Sequence, residues 1–154
     1  MKLYIVGLIG LVLFLASADV ALACTCDLPT FGTLKQQVRS AKKRSNAIFV
    51  GKIVEIRFSE KKLGDKAVSR YAKFEVERSW SGPETKFIEI ETANICCICG
   101  ITFEVGERWI VYAYGNVKKG YSTNSCSRTS PIGPKSDDEK YLGRKRLVKK
   151  TPKT

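Results

Sequence analysis

There is no histidine among the 154 residues. Its absence excludes a Ser-His-Asp triad, a Cys-His dyad and any His-ligated metal site within the chain. It also removes the usual proton-transfer group at neutral pH. Acidic residues are few: 15 Asp and Glu stand against 27 Lys and Arg, a formal net charge of +12. That surplus favours anionic partners such as polysaccharide, nucleic acid, acidic lipid or an acidic protein surface. The plain reading of most of these lysines is solubility. No apolar run reaches the roughly 20 residues of a bilayer-spanning helix, and no internal repeat is visible.

The apolar run that is present covers residues 3–15, follows Lys2, and leads to Ala21-Leu22-Ala23. This is the pattern of a secretory signal peptide, with small residues where signal peptidase cleaves. Cleavage after Ala23 would make Cys24 the first residue, with its own α-amine. A lipoprotein signal also ends in cysteine, but Asp19 and Ala21 fit it poorly. The expected organisation is a signal peptide over 1–23, one domain over 24–143, and a basic, disordered tail over 144–154. The expected location is extracellular or periplasmic, with no transmembrane segment after cleavage. All six cysteines survive cleavage, and an oxidising compartment makes disulfides their default state.

A helix is expected over about 33–45, where Leu34, Val38 and Ala41 fall at helical spacing among Lys35, Arg39, Lys42 and Lys43. A β-rich run over 47–58 follows, with Gly51 as a bend or bulge. After a polar hairpin loop over 59–65, residues 71–78 and 86–92 alternate apolar and charged, the period of half-buried strands. Between them Trp80-Ser81-Gly82-Pro83 signals a turn. Residues 108–114 form a strongly apolar fourth strand, 115–120 a turn, and 121–125 a short fifth strand ending at Cys126. Five strands, one preceding helix and little helix between them predict a small closed barrel. Beyond Cys126 order is expected to fade, apart from a helical turn or two over 138–142.

Cys24 and Cys26 are poorly placed to bond each other, so each is expected to reach Cys96, Cys97, Cys99 or Cys126. Such bridges would close large loops, each contributing roughly 3–5 kcal/mol in the loop-entropy picture.

Several segments together carry a resemblance. They are Cys24-Thr25-Cys26 after the signal peptide, the run from Ala47 to Val54, and Phe74 to Trp80. Further on come Cys99-Gly100 with Phe103 and Gly106-Glu107-Arg108-Trp109, and Ser125-Cys126-Ser127-Arg128. In this order the chain resembles the N-terminal inhibitory domain of the tissue inhibitors of metalloproteinases, and most closely the bacterial single-domain members. The resemblance implies an OB-fold, a five-stranded Greek-key barrel with one N-terminal and one short C-terminal helix, stapled by Cys24–Cys99 and Cys26–Cys126. Cys96 and Cys97 are left over, as a vicinal disulfide, as thiols, or with one replacing Cys99 as the partner of Cys24.

The resemblance also implies a function: an inhibitor, not an enzyme, acting on a zinc metalloprotease. The Cys24 amine and carbonyl would chelate the protease zinc, in the position such enzymes leave open for water. The chain has no cofactor of its own; the zinc is the partner's. Thr25 would enter the specificity pocket, Asp27, Leu28 and Pro29 would follow the substrate cleft, and Asn94 to Ile98 would lie alongside. Asp27 is acidic where the family commonly has an apolar or small residue. A monomer is expected.

Two other readings stand beside this one. The barrel would bind anionic polysaccharide or a membrane surface through its Lys and Arg, with Tyr71, Phe74, Trp109, Tyr112 and Tyr114 as stacking platforms; nucleic acid is not expected of an exported protein. Alternatively, Cys96, Cys97 and Cys99 would hold a soft metal ion or exchange disulfides.

Overall fold

The computed structural model describes Cys26 and residues 32–95, 99–133 and 137–147. Helix α1 (Leu34–Arg44) is set by its caps. The Thr33 hydroxyl accepts from Gln36 N, and Gln36 Oε1 accepts from Thr33 N at 2.8 Å, a reciprocal capping box. At the other end Ser45 N donates to Ala41 O. The helix is the expected one, with Val38 and Ala41 buried.

Strand β1 (Ala47–Phe58) has the expected bounds, but its first residues do not alternate: Ala47 to Val50 are all buried. Both of their faces are covered. Ala47, Phe49 and Ile53 point into the barrel, while Ile48 and Val50 join an outer core beneath α1. The register with the next long strand shifts at Gly51. A Cβ there would stand 2.8 Å from the Glu75 carbonyl oxygen, so the strands approach this closely only because the residue is glycine.

The 59–68 connection carries its own short ladder, β2 (Lys62–Leu63) against β3 (Lys66–Ala67). The remaining elements are β4 (Ser69–Ser81), β5 (Phe87–Ala93), β6 (Arg108–Asn116), β7 (Gly120–Ser122), β8 (Ser130–Pro131), α2 (Glu139–Leu142) and β9 (Arg146–Leu147). The barrel order is β1-β4-β5-β7-β6, and β6 returns to β1. All these pairings are antiparallel except β5 with β7. Following the register from Arg57 through Tyr71, Glu91, Ser122 and Tyr114 leads back to β1 near Ala47, far from the start. That stagger is the mark of tilted strands closing a barrel. The fold is an OB-like five-stranded barrel.

Inside it, Phe49, Phe74, Phe103 and Trp109 stack edge to face, with ring centroids 5.0 to 5.5 Å apart. Three of the five proposed stacking aromatics, Phe74, Trp109 and Tyr112, are buried in the cores, and only Tyr71 and Tyr114 are half-buried. The barrel therefore offers no broad aromatic platform on these residues.

Where it falls on described residues, the expectation that order fades after Cys126 is overturned; residues 148–154 of the expected tail lie outside them. β8 pairs with β6, and β9 pairs with β4 through Arg78 and Ser79, so the sheet extends into the segment expected to be a disordered tail from 144. The cause is a latch over the outer core. Leu142 is fully buried, the Trp80 indole donates to Gly143 O, and Lys42 Nζ donates to Leu142 O at 2.7 Å. Asp138, also buried, accepts from Tyr112 Oη at 2.9 Å and from Arg128 Nε and Nη2 at 2.7 and 2.9 Å. One carboxylate thus meets a phenol and a bidentate guanidinium, which keeps a buried charge paired.

Two expected outcomes follow from the latch. Leu142→Ala should cost about 2–4 kcal/mol in urea unfolding, while Tyr141→Ala, at an exposed site, should change stability by less than about 0.5 kcal/mol. Burial, and then the Asp138 carboxylate, raise the Tyr112 hydroxyl above its ordinary value. The unfolded chain therefore ionises Tyr112 first, so its contribution is intact below about pH 10 and declines as pH rises further. Tyr112→Phe should lose about 1 kcal/mol near neutrality and make the alkaline decline shallower, as read by unfolding midpoints near neutral pH and above about pH 10.

Candidate functional site

The strand directions place several segments at one end of the barrel: the 59–68 hairpin, the end of β5, the start of β6 and the end of β7. Cys26 is brought to this end by its disulfide to Cys126, with Cα atoms 5.1 Å apart and a sequence separation of 100.

Cys126 sits in a turn built by side chains. Asn124 Oδ1 accepts from Cys126 N at 3.0 Å, and Asn124 O accepts from both Ser127 N and Ser127 Oγ. The turn is fixed to the barrel by a buried set of hydroxyls. Thr123 Oγ1 lies 2.8 Å from both Ser127 Oγ and Thr129 Oγ1 and donates to Tyr112 O, while Thr129 Oγ1 accepts from Tyr112 N. Thr123 N donates to Glu91 O, tying the turn to β5 as well. No hydroxyl in this set appears among the candidate residues read from sequence. The signal available was the density of Ser, Thr and Asn around Cys126, which marks turns that bond their own backbone.

A second arm of the site is the connector from β5 to β6. Cys99 is disulfide-bonded and adopts φ 52°. Its carbonyl accepts from Ser125 N at 2.7 Å, which joins the connector to the Cys126 turn. Gly100 follows, and a Cβ at that position would fall 1.9 Å from the Ala93 carbonyl oxygen. Only glycine lets the chain turn back against β5 here. Ile101 N then donates to the buried Thr92 hydroxyl at 3.0 Å.

Asn94 begins the third arm. Its N–H donates to Val68 O, its side-chain amide donates to Ala67 O at 3.0 Å, and its Oδ1 accepts from Arg70 Nη2 at 3.0 Å. Asn94 lies at this barrel end, with its side chain holding the 59–68 hairpin. On β4, opposite Glu91 of β5, the Tyr71 hydroxyl has its pKa raised by burial and then by Glu91.

No family model matches this chain, and no curated protein matches it. The chemistry of the site therefore rests on its own residues. Cys26, Cys99 and Cys126 are all oxidised, so none offers a thiolate to a metal. Among the described residues no three of His, Cys, Asp and Glu gather as metal ligands. Cys24, Thr25, Asp27, Leu28, Pro29, Cys96, Cys97 and Ile98 lie outside the described residues, and with them the expected Cys24–Cys99 pairing. The expected Cys26–Cys126 bridge is present.

What the arrangement does physically is bind three chain segments, distant in sequence, to one another with backbone hydrogen bonds and a covalent link. The linkage is expected to dominate stability. The double variant Cys26→Ser/Cys126→Ser should unfold with roughly 3–5 kcal/mol less stability than the oxidised protein, measured in denaturant without reductant.

Proposed function

We propose that this chain is an exported inhibitor of zinc metalloproteases, acting through an N-terminus at Cys24. The observation that carries the reading is the attachment of Cys26 to the Cys126 turn. Two residues of extended chain span at most about 7 Å. In this reading Cys24 acts from within that reach of the Cys26 anchor, so little freedom would be left to lose on docking.

The chemistry is that of a bidentate chelate. An α-amine titrates near about 8, so part of it is neutral at physiological pH, and a zinc ion favours that form further. Together with the Cys24 carbonyl oxygen it makes a five-membered ring on the metal and displaces the water a metalloprotease needs as nucleophile. The sulfur is not a ligand; its disulfide restrains the backbone. Thr25, a small side chain, occupies the specificity pocket, and Asp27, Leu28 and Pro29 continue along the cleft. The connector carrying Ile98 and the hairpin braced by Asn94 flank this strand. Support for the reading comes from the resemblance in sequence, the OB-like barrel and the Cys26–Cys126 bridge, which agree with one another.

The experiment compares two oxidatively refolded proteins against a panel of zinc metalloproteases, one starting at Cys24 and the other with one extra alanine before it. The first should inhibit, and the second should lose at least about a hundredfold in affinity because its amine no longer sits beside the carbonyl. Equal inhibition by both overturns chelation. Inhibition by neither, with both folded, leaves the barrel as a binding module.

A further inference from the structure

The excess positive charge is not spread evenly. Among the described residues every ion pair lies on the barrel strands, the turns that join them or the C-terminal latch, such as Glu55–Lys73, Glu77–Arg108 and Asp138–Arg128. None involves α1. That helix has no acidic residue at all.

At about 100° per residue, Lys35, Arg39, Lys42 and Lys43 fall within one arc of about 100°, away from the buried Val38 and Ala41. All four are exposed. Lys35, Arg39 and Lys43 are spaced four apart, so each neighbouring pair repels by a few tenths of a kcal/mol. A helix needed only to cover the outer core would be more stable with glutamate at one of these positions. The bond from Lys42 Nζ to Leu142 O brings a second basic segment beside the first, since exposed Arg144 and Lys145 follow Gly143. No large hydrophobic residue of α1 is exposed.

We propose that α1, together with Arg144 and Lys145, docks the domain on an anionic phospholipid surface. Two adjacent segments form a patch, not a single line of charge. A plane of headgroups neutralises such a patch at once, whereas one polyanion chain neutralises a line. With no exposed large hydrophobic residue on α1 to insert, attachment is electrostatic, reversible and sensitive to salt. The inference is independent of the inhibitory reading and uses none of its residues.

The test is co-sedimentation with vesicles of phosphatidylglycerol and phosphatidylcholine, and with phosphatidylcholine alone, at low and high salt. The full chain is used throughout. Any attachment through the apolar residues 3–15 is then common to all variants and is separated by its insensitivity to salt. Salt-sensitive binding to the anionic vesicles is expected. The Lys35→Gln/Arg39→Gln/Lys43→Gln variant, which keeps the helix propensity and the Lys42 bond, should weaken it by about a hundredfold. A control with the same change in charge, Lys61→Gln/Lys62→Gln/Lys66→Gln in the 59–68 hairpin, should stay within about threefold of the parent. Unfolding midpoints check that both variants are folded. Equal losses in the two variants would mean net charge alone and overturn the site. Absence of anionic preference overturns the proposal. So does loss of retention on sulfated polysaccharide in the helix variant while vesicle binding is unchanged, which would assign α1 to a polymer.

Discussion

The first residues of β1 are squeezed between two apolar layers, and the rest of the molecule follows from covering both. Phe49 belongs to the aromatic stack inside the barrel, whereas Ile48 and Val50 face outward and are equally buried. A strand with two dry faces needs a sheet closed on one side and a lid on the other. Closure is supplied by β4 and β6, the two neighbours to which β1 is hydrogen-bonded. The lid is made of α1 and the segment around Leu142, and Asp138 serves as the polar fastening that lets Tyr112 end in a buried environment without an unpaired hydroxyl.

The candidate site depends on this closure at one remove. The Cys126 turn is held by hydroxyls that bond both backbone groups of Tyr112, a residue whose ring belongs to the outer core. Barrel, lid and disulfide turn therefore meet at a single residue of β6. The bridge fastens Cys26 to that turn, and Gly100 allows the connector to come close enough for Ser125 to reach Cys99.

Local signals in the sequence located the elements that carry their own period. The helical spacing of Leu34, Val38 and Ala41 marks α1, and the apolar run from Ala47 delimits β1 to the residue. Alternation located the middle of β4 and β5, though β4 is longer at both ends, because Arg70 and Ser79 gain partners across the sheet that no local pattern encodes. The two-residue strands β8 and β9 were invisible for the same reason: Pro131 and Arg146 read as breaker and charge until β6 and β4 supply the other half of the ladder. From sequence Asp138 is only the start of a helical turn over 138–142. Its burial depends on Tyr112 and Arg128, which are 26 and 10 residues away. At the site, the Cys26–Cys126 pairing was implied by a family pattern, whereas the hydroxyls beneath it were not, since their roles arise only once β6 lies alongside.

The pairing of β1 with β6 has a consequence for the order of events during synthesis. Its two halves are separated by about half of the domain, and the Leu142 lid emerges later still. A polypeptide with such distant partners cannot complete either apolar layer while its C-terminal third is missing, and topologies of this kind fold slowly. The growing chain consequently travels with Ile48, Phe49 and Val50 uncovered. In that interval the β1 segment, apolar on both sides and without an internal charge from Ala47 to Gly51, is open to association with other chains.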